Sequence, residues 1–133
     1  MAYPFQNFTF PTDKFDEMEK KEEIQLTWND FTKVEMRVGT IISAERFKEA
    51  KNPAYKMNID FGELGIRKTS AQITELYECE ELIGKQIIAV VNFPPKQIAN
   101  IMSECLVLGG LGENKEVILI EPERKVKNGI RIG

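Results

Sequence analysis

The chain has 133 residues, a net formal charge of −3 and no histidine. This length suits a single domain that buries a core. The absence of histidine removes the commonest general base and metal ligand, and it excludes Ser–His and Cys–His nucleophile pairs. The acidic runs at 16–19 and 78–81 have the pattern of solvated helix surfaces rather than of paired catalytic carboxylates. We therefore predict a protein that is not an enzyme and that needs no metal or cofactor.

Nothing in the sequence predicts a membrane segment or a leader peptide. The chain contains no apolar run long enough to span a bilayer, and its N-terminus lacks the basic-then-apolar pattern of a signal peptide. Cys79 and Cys105 are not spaced as a metal or redox pair, so we expect small buried side chains in a reducing compartment. These features predict a cytoplasmic protein without membrane insertion.

Charge is distributed unevenly along the chain. Residues 1–25 carry a net charge of −3, and residues 26–133 carry equal numbers of acidic and basic side chains. A neutral domain exerts no long-range attraction on polyanions, although a local basic patch can still bind RNA. We divide the chain accordingly into an acidic N-terminal arm, residues 1–25, and a domain, residues 26–133.

The arm begins with aromatic side chains that alternate with small polar residues, and residues 14–24 have the pattern of an acidic helix. Large apolar side chains in this number are costly to expose on a short tail. They could cap the core, extend a dimer interface or plug an apolar groove, and we predict that they pack across a homodimer. The residues assigned to this dimer or peptide contact, at the two ends of the chain, are Tyr3, Phe5, Phe8, Phe10, Ile130 and Ile132.

Five segments have the composition and apolar pattern of core strands. They cover residues 36–47, 55–61, 66–72, 87–91 and 105–108. Gly39 in the middle of the first segment predicts the bend that a small closed barrel needs. The second segment alternates strictly, with Tyr55 and Met57 on one face and Lys56 and Asn58 on the other.

The order of these segments predicts the fold class. Residues 73–83 have the pattern of a helix or helical turns, closed by Gly84, between the third and fourth strands. Three strands, a short helix and two strands is the order of an OB-fold, an all-β five-stranded Greek-key barrel. The arm and a further predicted strand at 117–120 are then N- and C-terminal extensions of that barrel.

The candidate site lies where two buried strands hold a polar loop. Residues 92–95 end the fourth strand, because two prolines remove ladder donors, and a weakly basic connection follows at 96–103. Loops held by rigid strands often carry function. The third strand is unusually polar, so one of its sides is expected to face solvent beside this loop.

From Trp28 onward the sequence resembles the tRNA-binding OB domain family, which includes free-standing tRNA-binding proteins and domains appended to aminoacyl-tRNA synthetases. Within that family it is most similar to the CsaA branch of export-related, chaperone-like proteins. The stretches that carry the resemblance are 31–41, 52–56, 59–62, 70–74, 85–95 and 103–110. They occur in unbroken order along the chain. Asn100 departs from the pattern, because this branch usually has glycine there; asparagine tolerates left-handed backbone better than most residues.

The resemblance implies a homodimer with affinity for tRNA. For the CsaA branch it also implies binding of unfolded or preprotein segments and of the SecA translocation motor. The primary expectation is therefore a CsaA-like homodimeric, export-related chaperone. The alternative is a free-standing, structure-specific tRNA-binding protein without a chaperone role.

The family's tRNA-binding face, carried onto this sequence, falls on the third strand and the polar loop. The RNA-binding residues that the resemblance implies are Arg67, Lys68, Ser70, Gln72, Asn92, Lys96, Ser103 and Glu104. The cationic side chains can meet phosphates, and the amides and hydroxyls can pair with base edges or 2′-hydroxyls. Glu104 can only accept, either from a base amino group or from the loop that it braces. For Asn92 and Ser103 a purely architectural role is an equal alternative.

Overall fold

The computed structural model describes residues 24–133, so the predictions for residues 1–23, including Tyr3, Phe5, Phe8 and Phe10, lie outside the described residues. The helical elements are α1 (Trp28–Thr32), a 3-10 turn (Gly62–Leu64) and α2 (Cys79–Leu82). The strands are β1 (Met36–Arg46), β2 (Tyr55–Asp60), β3 (Ile66–Ala71), β4 (Gln86–Val90), β5 (Lys96–Ile98), β6 (Ile101–Ser103), β7 (Leu106–Val107), β8 (Gly109–Leu111), β9 (Val117–Leu119) and β10 (Arg131–Ile132).

One sheet with the order β3-β2-β1-β4-β7 forms the barrel wall, and its neighbouring strands are antiparallel. The sheet curls until β3 approaches the segment between β6 and β7, where the Glu104 amide donates to the Lys68 carbonyl at 2.8 Å. The barrel is therefore nearly closed. The predicted all-β OB-like fold, with a short helix between its third and fourth strands, is confirmed.

The core fills the barrel with β-branched and aromatic side chains. Its largest fully buried members are Phe61, Ile41, Ile59, Ile73, Leu82, Ile87, Val38 and Thr69. The alternation predicted for the second strand places Met57 and Ile59 in this core. The alternate positions, Lys56 and Asn58, remain only partly buried on the other face.

β1 bends as the sequence predicts, and the bend has two causes. A β-carbon at Gly39 would lie 2.6 Å from Ile59 Cγ2 and 2.7 Å from the Phe61 ring, so only glycine permits this approach. Beyond it the register of β1 against β2 shifts between Ile41 and Ser43, as at a β-bulge. Together these features let one long strand serve both halves of the barrel.

The helix predicted at 73–83 is shorter than expected. Only α2 is helical, and it begins with a capping box between Glu78 and Glu81. The residues before it are held by contacts to the barrel: the Tyr55 hydroxyl donates to the Tyr77 carbonyl at 2.7 Å, and the Leu119 amide donates to the Tyr77 hydroxyl at 3.0 Å. Within residues 24–133 no helix is long and apolar enough to cross a bilayer.

The connection expected to be a polar loop contains the hairpin β5–β6, in which Lys96 pairs with Ser103. Its turn takes a left-handed backbone at Ala99, with φ 48°, and not at Asn100. The tolerance of asparagine for that conformation is therefore not used here. The strand predicted at 117–120 is present as β9, which pairs with β8 in a separate hairpin.

The C-terminal apolar residues lie against the barrel of their own chain. β10 pairs with β1 at Met36 and Arg37, and the Val38 amide donates to the Ile130 carbonyl at 3.0 Å. The side chain of Ile130 nevertheless remains 42% exposed, and Ile132 is half-buried. Their assignment to a dimer or peptide contact stays a prediction.

The close approach at Gly39 generates a test of the fold. We expect Gly39→Ala to lower the free energy of unfolding by about 1–3 kcal/mol, because the added methyl overpacks Phe61 and Ile59. Urea denaturation followed by far-ultraviolet circular dichroism measures this change. Gly110→Ala is the matched control, since its β-carbon would meet no atom closer than 3.9 Å. Equal stability of the two variants would contradict the packing argument.

Candidate nucleic-acid interface

The registers of β1, β2 and β3 assemble a polar surface on the outside of the barrel. Residues opposite each other on neighbouring strands share a face of the sheet. One row across the three strands is Ser43–Asn58–Lys68, and the next is Glu45–Lys56–Ser70. We call these six residues the outer face. Asn58 Nδ2 donates to Ser43 Oγ at 2.8 Å, which holds the middle of the face in place.

A cavity of about 350 Å³ opens on the outer face. Ser43, Lys56, Asn58 and Lys68 contribute polar walls, and Ile101 of β6 closes one side. OB-folds commonly bind oligonucleotides on the face of their second and third strands, beside the loop between the last two strands. The cavity lies at that position, because β2 and β3 line it and the β5–β6 hairpin borders it.

The two lysines of the outer face differ in their electrostatic state. Lys68 is exposed and, within residues 24–133, takes part in no ion pair. Lys56 Nζ lies 3.3 Å from Glu45 Oε1 and 5.6 Å from the centroid of the Phe47 ring. Lys68 is therefore the cation that can meet a phosphate without first losing an ionic partner.

Arg67 and Glu104, both predicted to contact RNA, join β3 to the far side of the barrel. Arg67 Nη1 donates to the carbonyls of Val91 at 2.7 Å and Glu104 at 3.5 Å. Glu104 Oε1 accepts from the Lys68 amide at 2.9 Å. This hydrogen bond joins the loop to β3, and a contact of Glu104 with RNA stays a prediction.

The side chains of Asn92 and Ser103 likewise form hydrogen bonds within the protein. Asn92 Nδ2 donates to the Lys33 carbonyl at 2.6 Å, and its Oδ1 accepts from the Glu35 amide at 3.0 Å. Ser103 is 4% exposed, and its Oγ lies 3.1 Å from Thr69 Oγ1. These contacts fit the architectural alternative, and a contact of either residue with RNA stays a prediction.

The other predicted residues are spread around the same edge of the barrel. Ser70 belongs to the outer face but is only 3% exposed. Gln72 follows β3 and is half-buried, whereas Lys96 is exposed at the start of β5. The structure therefore brings Lys68 and Ser70 onto one face and places Lys96 on the adjoining hairpin.

Four residues of the outer face were not among the predicted site residues: Ser43, Glu45, Lys56 and Asn58. The signal for the two β2 residues was present, because the strict alternation of that strand already put them on the face opposite the core. The signal for Ser43 was not present. Its position depends on the register shift between Ile41 and Ser43, which no local pattern reveals.

Behind the outer face, β3 is joined to β6 and β7 by a buried polar cluster. Thr69 Oγ1 donates to the Cys105 carbonyl at 2.8 Å. Burial raises the pKa of the Cys105 thiol from 9.0 to about 12, so this side chain is a neutral thiol at physiological pH. Both cysteines are unpaired, and the described residues contain no acidic, cysteine or histidine cluster that could hold a metal ion.

The environment of the two cysteines generates a prediction about thiol reactivity. Only the thiolate is nucleophilic, so we expect iodoacetamide at pH 8 to modify half-buried Cys79 first and to leave Cys105 unmodified in the folded protein. Both should react in denaturant, and mass spectrometry counts the adducts. Equal native reactivity of the two thiols would contradict this description.

Because the folded pKa of Cys105 is raised, its contribution to stability is present below pH 9.0 and is lost as the pH rises toward about 12.

Comparison with known proteins finds two close structural relatives. A CsaA chaperone from Bacillus anthracis is 50% identical with a TM-score of 0.80, and the match covers 83% of this chain and 100% of that chain. A CsaA chaperone protein from Picrophilus torridus is 51% identical with a TM-score of 0.77, over 82% of this chain and 100% of that one. Both match this chain over their whole length.

Sequence comparison points to the same group of domains. The methionine–tRNA ligase of Methanococcoides burtonii is 36% identical over 104 residues, which is 78% of this chain but only 15% of that enzyme. This chain therefore spans a small part of the curated relatives that it matches. The family described as putative tRNA binding domain matches residues 36–131. The chain belongs to this family of tRNA-binding domains.

Proposed function

We propose that this protein binds folded tRNA through the outer face and catalyses no reaction. The observation that carries the proposal is Lys68, an exposed lysine beside a cavity that is lined in part by polar side chains, on the face where OB domains bind nucleic acid. Its ammonium group suits a backbone phosphate. Ser43 and Asn58, next to it, offer donors and an acceptor that suit a ribose 2′-hydroxyl.

The composition of the outer face favours a folded RNA over an extended single strand. OB domains that track single strands stack bases on exposed aromatic side chains in a basic groove. None of the six outer-face residues is aromatic, and the strand aromatics Tyr55 and Phe61 are buried in the core. Contacts to phosphate and ribose read backbone shape rather than stacked bases. A short unstructured oligonucleotide should therefore compete poorly with tRNA.

We further propose that the protein acts as a two-fold homodimer in the cytoplasm. A dimer would present two outer faces to one RNA, and its interface would be isologous. Apolar side chains on the β8–β9 hairpin support an interface, since Leu111 is 56% and Ile118 is 49% exposed. Static light scattering at micromolar concentration should give twice the mass of the chain, and a monomer mass would contradict the dimer.

A second candidate function is the binding of unfolded or preprotein segments, with the SecA motor as a further partner. It is favoured by the similarity to two proteins described as CsaA chaperones, at 50% and 51% identity. The exposed apolar side chains of the β8–β9 hairpin are chemically suited to such segments. Because apolar burial drives this kind of binding, it should depend little on the lysines of the outer face.

Lys68→Glu tests the proposed function. We expect the affinity for tRNA to fall by about tenfold, because a charge-assisted contact is lost and a repulsive charge replaces it. The slope of log affinity against log salt should fall by about one unit. Fluorescence anisotropy with labelled tRNA, repeated at several salt concentrations, measures both quantities.

Lys125→Glu is the matched control, since Lys125 is exposed but lies after β9 and outside the outer face. It makes the same change in net charge and should alter tRNA affinity much less. Equal losses in the two variants would show that the outer face is not the binding surface. Suppression of a model protein's aggregation, measured in parallel, should be the same for both variants and for the unmodified protein.

A further inference from the structure

The outer face contains a second lysine whose ammonium group already forms an ion pair. Lys56 Nζ and Glu45 Oε1 are 3.3 Å apart at the wall of the cavity. The two partners are unequal in exposure, because the Lys56 side chain is 29% exposed and that of Glu45 is 71% exposed. The ammonium group also lies 5.6 Å from the centroid of the Phe47 ring, and Phe47 itself is buried.

This asymmetry makes the acid, and not the lysine, the displaceable partner. The Lys56 side chain is mostly buried, and the ring of Phe47 attracts its ammonium group independently of Glu45. Glu45 is held by an exposed ion pair, and such pairs contribute little to stability. An anion that enters the cavity can therefore replace the carboxylate at Lys56 without moving the lysine.

Several of the remaining polar groups around the cavity can donate to a ligand. Asn58 Nδ2 donates to Ser43 Oγ, so the Ser43 hydroxyl proton is left to point at a ligand. The second amide proton of Asn58 and the ammonium group of Lys68 border the same space. Two ammonium groups with neighbouring hydroxyl and amide donors suit the oxygens of a phosphate better than they suit a base edge, which presents donors as well as acceptors.

We propose that this cavity is a subsite for one backbone phosphate of the bound tRNA, and that Glu45 is an internal competitor that holds Lys56 until the phosphate replaces it. The proposal rests on the tRNA-binding function proposed above and adds a residue that limits affinity. Glu45 lowers the attraction of the outer face for polyanions in general. Only a ligand that places a phosphate in the cavity forms an ion pair with Lys56 in place of Glu45. Glu45 therefore favours a folded RNA over any extended polyanion.

Glu45→Gln tests the proposal directly. Because the amide holds Lys56 weakly, we expect tRNA affinity to rise about two- to fivefold, which is the strength of an exposed ion pair. The salt slope should change little, because the phosphate contacts the same lysine in both proteins and only the competing carboxylate is removed. A polyanion without tertiary structure, such as single-stranded poly(U), should gain more than tRNA, so selectivity should fall.

Asp60→Asn controls for the loss of a negative charge alone. Asp60 lies two residues beyond Asn58 on β2, and its Oδ1 accepts from the Gly62 amide at 2.8 Å, a bond that asparagine can keep. It is in no ion pair within residues 24–133. This variant should raise affinity less than Glu45→Gln does. Equal responses of Asp60→Asn and Glu45→Gln would overturn the proposal.

The double variant Glu45→Gln with Lys56→Gln separates release of Lys56 from other effects of the substitution. The gain from Glu45→Gln should disappear when Lys56 is absent, and a gain that persists would overturn the proposal. Thermal melts of each variant verify that it is folded. Loss of affinity in Lys68→Glu without any response to Glu45→Gln would refute the subsite alone. No effect of Lys68→Glu would instead refute the outer face as the tRNA-binding surface, and the subsite with it.

Discussion

The closure of the barrel depends on the contact between β3 and Glu104. At this seam one backbone hydrogen bond, from the Glu104 amide to the Lys68 carbonyl, is supplemented by a side-chain bond from the Lys68 amide to Glu104 Oε1. A carboxylate thus supplies the acceptor that a neighbouring strand would otherwise provide. Charge-assisted bonds of this kind are stronger than neutral ones, so a short seam suffices.

The same seam places the groups of the candidate interface. Arg67 and Lys68 are consecutive on β3, and the strand period directs them to opposite faces. Arg67 donates a hydrogen bond to the Val91 carbonyl of its own barrel, whereas Lys68 is exposed on the outer face. Two adjacent cations of similar appearance in the sequence therefore have different roles, because one stabilises the barrel and the other is available to a ligand.

A domain with balanced charge can bind RNA only through local arrangement. Residues 26–133 carry no net charge, so non-specific attraction of polyanions is weak. On the outer face the two lysines are accompanied by Glu45, and the seam beside them uses Glu104. Affinity in such a surface comes from the geometry of a few contacts. Such dependence on geometry is consistent with recognition of a folded RNA and with the proposal that Glu45 limits the binding of other anions.

Patterns set by burial could be predicted from the sequence. The strands β1, β2, β3 and β4 were placed to within about one residue at each end, because alternation and apolar runs report directly which side chains enter the core. The bend at Gly39 was also predictable, since a glycine in a long strand indicates a close approach of backbone or side chains. The polarity of β3 likewise identified Lys68 as a candidate ligand-binding residue.

Features that depend on contacts distant in sequence were decided only by the tertiary structure. The segment before α2 has helical periodicity but is held in turns by the hydrogen bonds of Tyr77, which outweigh a weak local propensity. The β5–β6 hairpin is largely exposed, so burial left no alternation to reveal it. The outer face exists only because a register shift in β1 aligns Ser43 with Asn58 and Glu45 with Lys56. Side chains from three strands become neighbours through that register, and sequence periodicity within one strand carries no information about it.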